Sequence, residues 1–297
     1  MTAALSPTRL TDDIARELDH AQRRGPLQQI VIPPCPCLLT QLQQALAAAE
    51  PDLGEVARIA GSDVAMCATL IRAASGAAFA AFAPAQTVGQ AMTRLGLEQT
   101  AAVMTAFLTR KAIPADSRHL QRFWERSALR AVAMEHIARQ LPGLSPDIAY
   151  TFGLFAHVGQ PVMLQSLRGY GSTIVEGLAR RDRTFVQTEN ANHRTDHAVV
   201  GGLVARVWRL APEVVSAVRL HHDLDLLGAD DVEPEVKTLV AAGVVAEHLM
   251  RRLEGLDPDP DWIGHADAML GWLQIGRADV DLWEESLAPL LDDVIRR

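Results

Sequence analysis

Apolar residues recur at spacings of three and four residues along most of this chain. Such spacing places them on one face of an α-helix, whereas the alternating pattern of a half-buried β-strand is nearly absent. Leu10, Ile14, Leu18 and Ala21 are one example, because they share a face of a helix predicted over residues 8–22. The pattern therefore predicts an all-α fold.

The same pattern predicts further helices, with clusters of Pro, Gly and Asp between them. In chain order they cover residues 38–49, 53–60, 64–74, 88–95, 98–113, 120–141, 147–167, 193–209, 212–222, 233–253, 258–273 and 279–295. The helix over residues 147–167 is predicted to be deeply buried. Because no internal repeat or low-complexity linker interrupts the chain, we expect tightly packed parts rather than independent domains. These parts are an accessory helix (1–26), a first helical part (27–115), a second (116–228) and C-terminal helices packed on the same domain (229–297).

Composition agrees with a core of packed helices. Hydrophobic residues make up 48% of the chain and aromatic residues only 5%, so Ala, Leu and Val must supply most of the core. The net charge of -8 removes the electrostatic attraction that supplies most non-specific affinity for nucleic acid. Nucleic acid is therefore not expected as a partner.

Several features bear on the compartment. No stretch reaches the length of uninterrupted apolar sequence that a membrane crossing needs, and the N-terminus lacks the apolar core of a signal peptide. The three cysteines are an odd number and indicate a reducing environment without a disulfide framework. We therefore expect a cytoplasmic protein without a membrane partner.

Short motifs follow one another in a specific order over about residues 27–225. They are residues 32–36 (IPPCP), 59–63 (IAGSD), 70–79 (LIRAASGAAF), 91–96 (AMTRLG), 123–127 (FWERS), 153–159 (GLFAHVG), 197–202 (HAVVGG), Trp208 and His221-His222. This series resembles the HDOD (HD-related output domain) family, a non-catalytic relative of the HD-domain metal-dependent phosphohydrolases. The resemblance implies a multi-helix HD-domain-like bundle with an N-terminal helical subdomain packed on it.

The resemblance also implies that metal ligands have been lost. It puts Ala156 where the parent superfamily has the His of its His-Asp pair, His157 where it has the Asp, and Arg126 where it has an earlier His. Alanine has no lone pair, and an arginine stays protonated and repels a cation. We therefore expect no catalytic residue, no bound metal and no cofactor.

Polar residues nevertheless remain at the expected centre of the second part. The candidate ligand pocket consists of Arg126, His157, His197, His221, His222 and Asp223. Two interpretations stay open: buried histidines with satisfied hydrogen bonds, or a pocket for a regulatory ligand. The Gly-Tyr-Pro element of related cyclic-dinucleotide phosphodiesterases does not follow the paired histidines, and residues 169–171 (GYG) are predicted to form a turn.

Other features favour structural roles. Cys35 and Cys37 have the spacing of a metal-ligand pair, but Cys67 is the only other thiol. Residues 53–74 have the helix-turn-helix pattern of DNA-binding proteins, but the second helix contains only one basic residue that could contact phosphate. Gly201-Gly202 in an apolar helix predicts a close approach to a neighbouring helix.

The sequence therefore predicts a bacterial regulatory or scaffold module without enzymatic activity, which contacts other signalling proteins in trans. One alternative is a divergent metal-dependent phosphohydrolase acting on a nucleotide, with His157, His197, His221, His222 and Asp223 as ligands. The other is a sensor of a small ligand, which holds a nucleotide or another anion beside Arg126 without cleaving it.

Overall fold

The computed structural model describes residues 10–23, 25–76, 79, 83–115, 117–120, 122–180 and 182–295. Helix makes up 73% of it, and these residues contain no β-strand, so the predicted all-α class is confirmed. The α-helices are α1 (Leu10–Arg23), α2 (Cys37–Leu46), α3 (Leu53–Gly61), α4 (Val64–Ala73), α5 (Val88–Ala112), α6 (Phe123–Ala138), α7 (Pro146–Phe155), α8 (Gly159–Ser166), α9 (Tyr170–Ala179), α10 (Phe185–His193), α11 (His197–Val207), α12 (Pro212–Leu220), α13 (Pro234–Leu253), α14 (Pro260–Leu273) and α15 (Arg277–Ile295). Short 3-10 helices cover Gly25–Gln29 and Leu224–Gly228. The first two residues of the helix predicted over 8–22 lie outside the described residues.

Side-chain caps fix where several helices begin. Asp63, Ser145 and Asp196 each accept a hydrogen bond from a backbone N–H in the first turn of α4, α7 and α11, respectively. Thr184 forms a reciprocal capping box with Gln187 at the start of α10. These contacts satisfy amides that would otherwise have no partner inside the helix.

The α5 helix contains one interruption, at Gly96. This glycine has φ 78° and ψ 175°, a conformation that side chains disfavour. It divides α5 at the position where the sequence predicts the boundary between the helices of residues 88–95 and 98–113. Both predicted helices are confirmed.

The single helix predicted over residues 147–167 is wrong, because the chain forms α7 and α8 with a turn at residues 156–158 between them. The turn allows Gly159 to lie directly against the backbone of α11. A Cβ at Gly159 would lie 2.1 Å from the carbonyl oxygen of His197 and 2.8 Å from the amide nitrogen of Gly201. The predicted close approach at Gly201 is thereby confirmed.

The helices α9 and α10 were not predicted from the sequence, which left residues 168–192 without a helix. The turn expected at residues 169–171 is correct only for Gly169, which has φ 84°. Tyr170 already begins α9 and is fully buried. The α10 sequence, FVQTENANH, is too polar to show an apolar stripe.

One hydrophobic core runs from Ile14 in α1 to Leu291 in α15 and includes side chains from each of the four predicted parts. Trp208 anchors its centre: the indole packs edge-on against Phe155 and donates a hydrogen bond to the carbonyl of Pro33 at 2.8 Å. This bond ties the end of α11 to the segment before α2. In the described ranges, every helix falls short of the length and apolarity that crossing a lipid bilayer demands.

Candidate functional site

Four of the six candidate residues converge in the second helical part. His157 lies in the turn between α7 and α8, His197 is the first residue of α11, and His221 and His222 follow the last residue of α12. One ring nitrogen from each of the four lies within 4.8 Å of the corresponding nitrogen of every other. We call these residues the four-histidine cluster.

The inward nitrogens are close enough to interact directly. His157 Nδ1 lies 2.9 Å from His197 Nε2 and 3.3 Å from His221 Nε2. His222 Nε2 lies 3.2 Å from His197 Nε2. His197 and His221 are buried, while His157 and His222 are partly exposed, so the cluster lies just beneath the surface.

A buried carboxylate orients His197. Glu189 of α10 accepts hydrogen bonds from the His197 side chain at Nδ1 (2.7 Å) and from its backbone N–H (3.2 Å). The hydroxyl of Tyr170 in α9 donates to the other oxygen of Glu189. The two helices that were not predicted therefore supply the contacts that fix this imidazole.

Acceptor oxygens also orient the paired histidines. His221 Nδ1 lies 2.7 Å from the carbonyl oxygen of Val218, and His222 Nδ1 lies 3.2 Å from a carboxylate oxygen of Asp261 in α14. Because these oxygens only accept, each Nδ1 carries a proton. In the neutral form of each residue, Nε2 is therefore the nitrogen that presents a lone pair to the centre of the cluster.

Burial sets the charge of the cluster. It lowers the pKa of His157 and His221 well below the usual histidine value, and nearby Arg130 adds to the effect on His157. Burial also opposes protonation of His197, but the adjacent Glu189 carboxylate outweighs it and raises the pKa of His197. Burial therefore keeps His157 and His221 neutral around pH 7, whereas Glu189 favours the protonated form of His197.

Arg126 lies in a separate network. It forms ion pairs with Glu254 and with Glu247, the latter at 2.6 Å, and Arg130 pairs with the other oxygen of Glu247 at 3.0 Å. We call these four residues the arginine-glutamate network. Its two positive and two negative charges balance. To hold an anion, Arg126 would have to give up two ion pairs.

Asp223 does not join the four histidines. Its side chain is exposed, and its backbone N–H bonds to the carbonyl of Leu220. Within the described residues, the group of side chains close enough to hold a metal contains the four histidines and includes neither Asp223 nor a cysteine. Ala156 is buried beside His157 and contributes no donor atom.

This donor set does not fit the hydrolytic centre of the HD phosphohydrolases. A hydrolytic metal site needs an open coordination position for the attacking water, and two-metal sites hold both ions with shared ligands. All four converging atoms are imidazole nitrogens, and an imidazole nitrogen has one lone pair. The nearest carboxylates, Glu189 and Asp261, contact the outer nitrogens instead.

Sequence reasoning missed the residues that orient the histidines. Glu189 lies in a polar helix eight positions before His197, and Asp261 lies 39 positions after His222. The one available signal was a polar segment before the His197 motif, which could have been examined for an acidic partner. Nothing in the local pattern links Asp261 to the cluster.

Solved structures resemble this fold. A protein of Marinobacter aquaeolei VT8, provisionally named a signal transduction protein, matches with a TM-score of 0.72 and 15% identity over 99% of this chain and 62% of that one. A provisionally named phosphohydrolase of Shewanella amazonensis SB2B gives a TM-score of 0.69 and 18% identity, covering 95% of both chains. An HDOD domain protein of unknown function from Geobacter sulfurreducens gives 0.63 and 19%, covering 95% of this chain and 97% of that one.

An uncharacterized protein of Treponema pallidum (strain Nichols) is 22% identical over 232 residues. The match covers 76% of this chain but 44% of the longer relative. The model of the HDOD domain matches residues 32–224, which is more than half of the chain and close to the range of the motif series. The chain belongs to the HDOD family.

Proposed function

We propose that this chain is a regulatory module of bacterial signal transduction, which acts by contacting other signalling proteins in trans and does not hydrolyse phosphate esters. Its membership of the HDOD family supports the signalling role, as does the provisional name of the similar Marinobacter protein. We place it in the cytoplasm, because its three cysteines are free thiols.

One observation carries the proposal: the site has the scaffold of a metal-dependent hydrolase and the wrong donors for hydrolysis. The four inward atoms are imidazole nitrogens, and the two nearby carboxylates are turned away from the centre. A cation held by four protein ligands has no position left at which to activate water. This donor set therefore supports a binding role over hydrolysis.

The name of the Shewanella protein does not transfer its activity to this chain. At 18% identity the two share a fold, and a fold supports many chemistries. The donor atoms at the site decide the chemistry, and in this chain they favour a binding role.

A hydrolysis screen tests the absence of activity. Tag-free protein is incubated with Mg²⁺, Mn²⁺, Fe²⁺ or Zn²⁺ and with cyclic dinucleotides, nucleoside triphosphates or p-nitrophenyl phosphate. We expect product formation equal to that of a His222→Ala variant in every combination. Turnover by the original protein that disappears in His222→Ala would contradict the proposal, because it would assign catalysis to the cluster.

A binding experiment tests the interaction. The immobilised chain is exposed to native bacterial lysate, retained proteins are identified, and each is purified and titrated against the chain by calorimetry. We expect a signalling protein that binds with a fixed stoichiometry. If no retained protein binds in the purified system, the interaction part of the proposal is wrong.

A further inference from the structure

We propose that His157, His197, His221 and His222 bind one divalent cation, and that Zn²⁺ fits the site best. A tetrahedral zinc ion with metal-nitrogen bonds of about 2.0–2.1 Å requires its ligand nitrogens to lie about 3.3–3.4 Å apart. Three contacts between the inward nitrogens, of 2.9, 3.2 and 3.3 Å, are already close to that length. The other three pairs of ligand nitrogens lie within 4.8 Å, so side-chain movements of about 1 Å would complete the tetrahedron.

The distribution of protons points to the same conclusion. His197, His221 and His222 each donate from Nδ1 to a fixed acceptor, so Nε2 is the nitrogen that each neutral imidazole offers to a cation. When all four imidazoles are neutral, His197 Nε2 and His222 Nε2 face each other at 3.2 Å with no proton between them. A proton on Nδ1 of His157 can be donated to His197 or to His221. His222 then has no hydrogen-bond donor within the cluster. A cation that accepts all four lone pairs removes this conflict.

The outer partners match what a metal centre needs. Histidines that bind metals usually donate their second N–H to a carboxylate or a carbonyl, which fixes the ring and makes the ligand more basic. Glu189 and Asp261 supply two such carboxylates, whose two negative charges balance those of a divalent ion. The arginine-glutamate network is neutral in total, so the charge of Arg126, which the sequence predicts to repel a cation, is compensated by Glu247 and Glu254.

The ligand type selects the class of cation. Neutral imidazoles suit Zn²⁺, Cu²⁺, Ni²⁺ and Co²⁺, whereas Mg²⁺ and Ca²⁺ prefer oxygen donors. Four protein ligands make a closed site of the structural kind. The ion would join the turn between α7 and α8, the start of α11 and the end of α12, so binding would stabilise the fold and report metal availability.

Metal titration of the full chain tests this inference. Tag-free protein is dialysed against a chelator, returned to metal-free buffer and titrated with Zn²⁺ by calorimetry, while mass spectrometry of the metal counts bound ions. We expect one ion per chain and a melting temperature that rises with Zn²⁺ concentration. Co²⁺ should bind at the same stoichiometry and give the intense visible absorption of a tetrahedral ion.

Variants locate the site. His222→Ala removes a partly exposed ligand and should weaken Zn²⁺ binding at least tenfold. Asp261→Asn removes the carboxylate charge that faces His222 Nδ1 and should weaken Zn²⁺ binding about tenfold. The matched control His136→Gln changes a histidine that contacts Ser286 and should keep full binding. A variant with Cys35, Cys37 and Cys67 changed to Ser should also keep it. Circular dichroism of the metal-free variants verifies that each is folded.

Two results would overturn the inference. The first is metal-free protein that binds none of Zn²⁺, Co²⁺, Ni²⁺ and Cu²⁺ at one ion per chain. The second is binding that survives in folded His222→Ala and vanishes in the cysteine variant. Metal binding is tested independently of the proposed signalling role, because the Zn²⁺ titration measures binding whereas the hydrolysis screen measures turnover of phosphate esters.

Discussion

The residues before 116 and the residues after it differ in what they bury. In the described residues before 116, the buried polar side chains are the hydroxyls of Thr100 and Thr109. In the described residues after 116, the buried polar and charged residues are Ser127, Arg130, Thr173, Thr188, Glu189, Thr195, Asp196, His197, Ser216, His221, Lys237 and His248. Burial of an ionisable group costs free energy unless a partner compensates. The region before residue 116 is therefore built for packing, whereas the region after it retains groups that packing alone would exclude.

Such a concentration of ionisable groups marks a candidate functional region. The four-histidine cluster lies after residue 116, as does the arginine-glutamate network, whose glutamates come from the C-terminal helices, and Arg130 is close enough to influence His157. The difference teaches that stability before residue 116 depends on apolar packing, whereas after it stability depends also on compensated buried charge. Substitutions matched between the two parts can test this division.

The largest effect is expected at Glu247. Glu247→Gln leaves Arg126 and Arg130 without the carboxylate they share, and Arg130 is buried. Loss of one partner of a buried ion pair leaves an uncompensated charge, so we expect the free energy of unfolding to fall by about 3 kcal/mol or more. Urea denaturation measures it.

The control lies in the first part, where Glu55 pairs with Arg58 at 2.7 Å on an exposed surface. Glu55→Gln should leave the urea midpoint unchanged, because water screens the pair. Equal losses in the two variants would contradict the division between a supporting part and a part that depends on buried charge.

A smaller effect is expected from an added methyl group at Gly159. In Gly159→Ala the new Cβ would meet the backbone of α11 beside His197, so α8 and α11 must separate. We expect a loss of about 2–3 kcal/mol in the free energy of unfolding. In the first part, Gly61→Ala adds a Cβ with nothing within 4 Å and should be neutral or slightly stabilising. A stability of Gly159→Ala equal to that of Gly61→Ala would show that the close approach is not required.

Much of the fold could be predicted from sequence, because apolar spacing of three and four reports helices that bury one face. The pattern failed where a helix is polar, as in α10, or where a tertiary contact decides the backbone. Gly159 illustrates the second case: the reason for the turn before it is the backbone of α11, which is remote in sequence. Local spacing contains no information about that contact.

The site was predicted in part for a related reason. The resemblance identified His157, His197, His221 and His222, and the structure brings them together. Arg126 was interpreted as a charge that repels cations, because its partner Glu254 lies 128 positions away and no local pattern connects the two. Charges can be counted from sequence, but whether each is compensated depends on the packing of distant helices.

The smallest of these effects concerns His248, a buried histidine of the C-terminal helices, whereas residues 27–115 contain no histidine. Its ring stacks on Trp262 at 3.7 Å between centroids. Burial, with contributions from Arg252 and Arg277, lowers the pKa of His248 to about 4, and Asp281 opposes the shift only weakly. The folded state therefore keeps this histidine neutral.

Since the unfolded chain binds the proton near pH 6.5 and the folded chain only near pH 4, acidification favours unfolding between these values. The stability that neutral His248 contributes is fully present above pH 6.5 and is lost as the pH falls toward 4. Between pH 6.5 and pH 4, we expect the free energy of unfolding to fall by about 1–2 kcal/mol less in His248→Gln than in the original protein. Urea midpoints of both proteins at intervals from pH 7 to 4 provide the test, and carboxylates common to both cancel in the difference. Parallel curves would mean that His248 is protonated as readily in the folded state as in the unfolded chain, and the packing against Trp262 would then not exclude its charge.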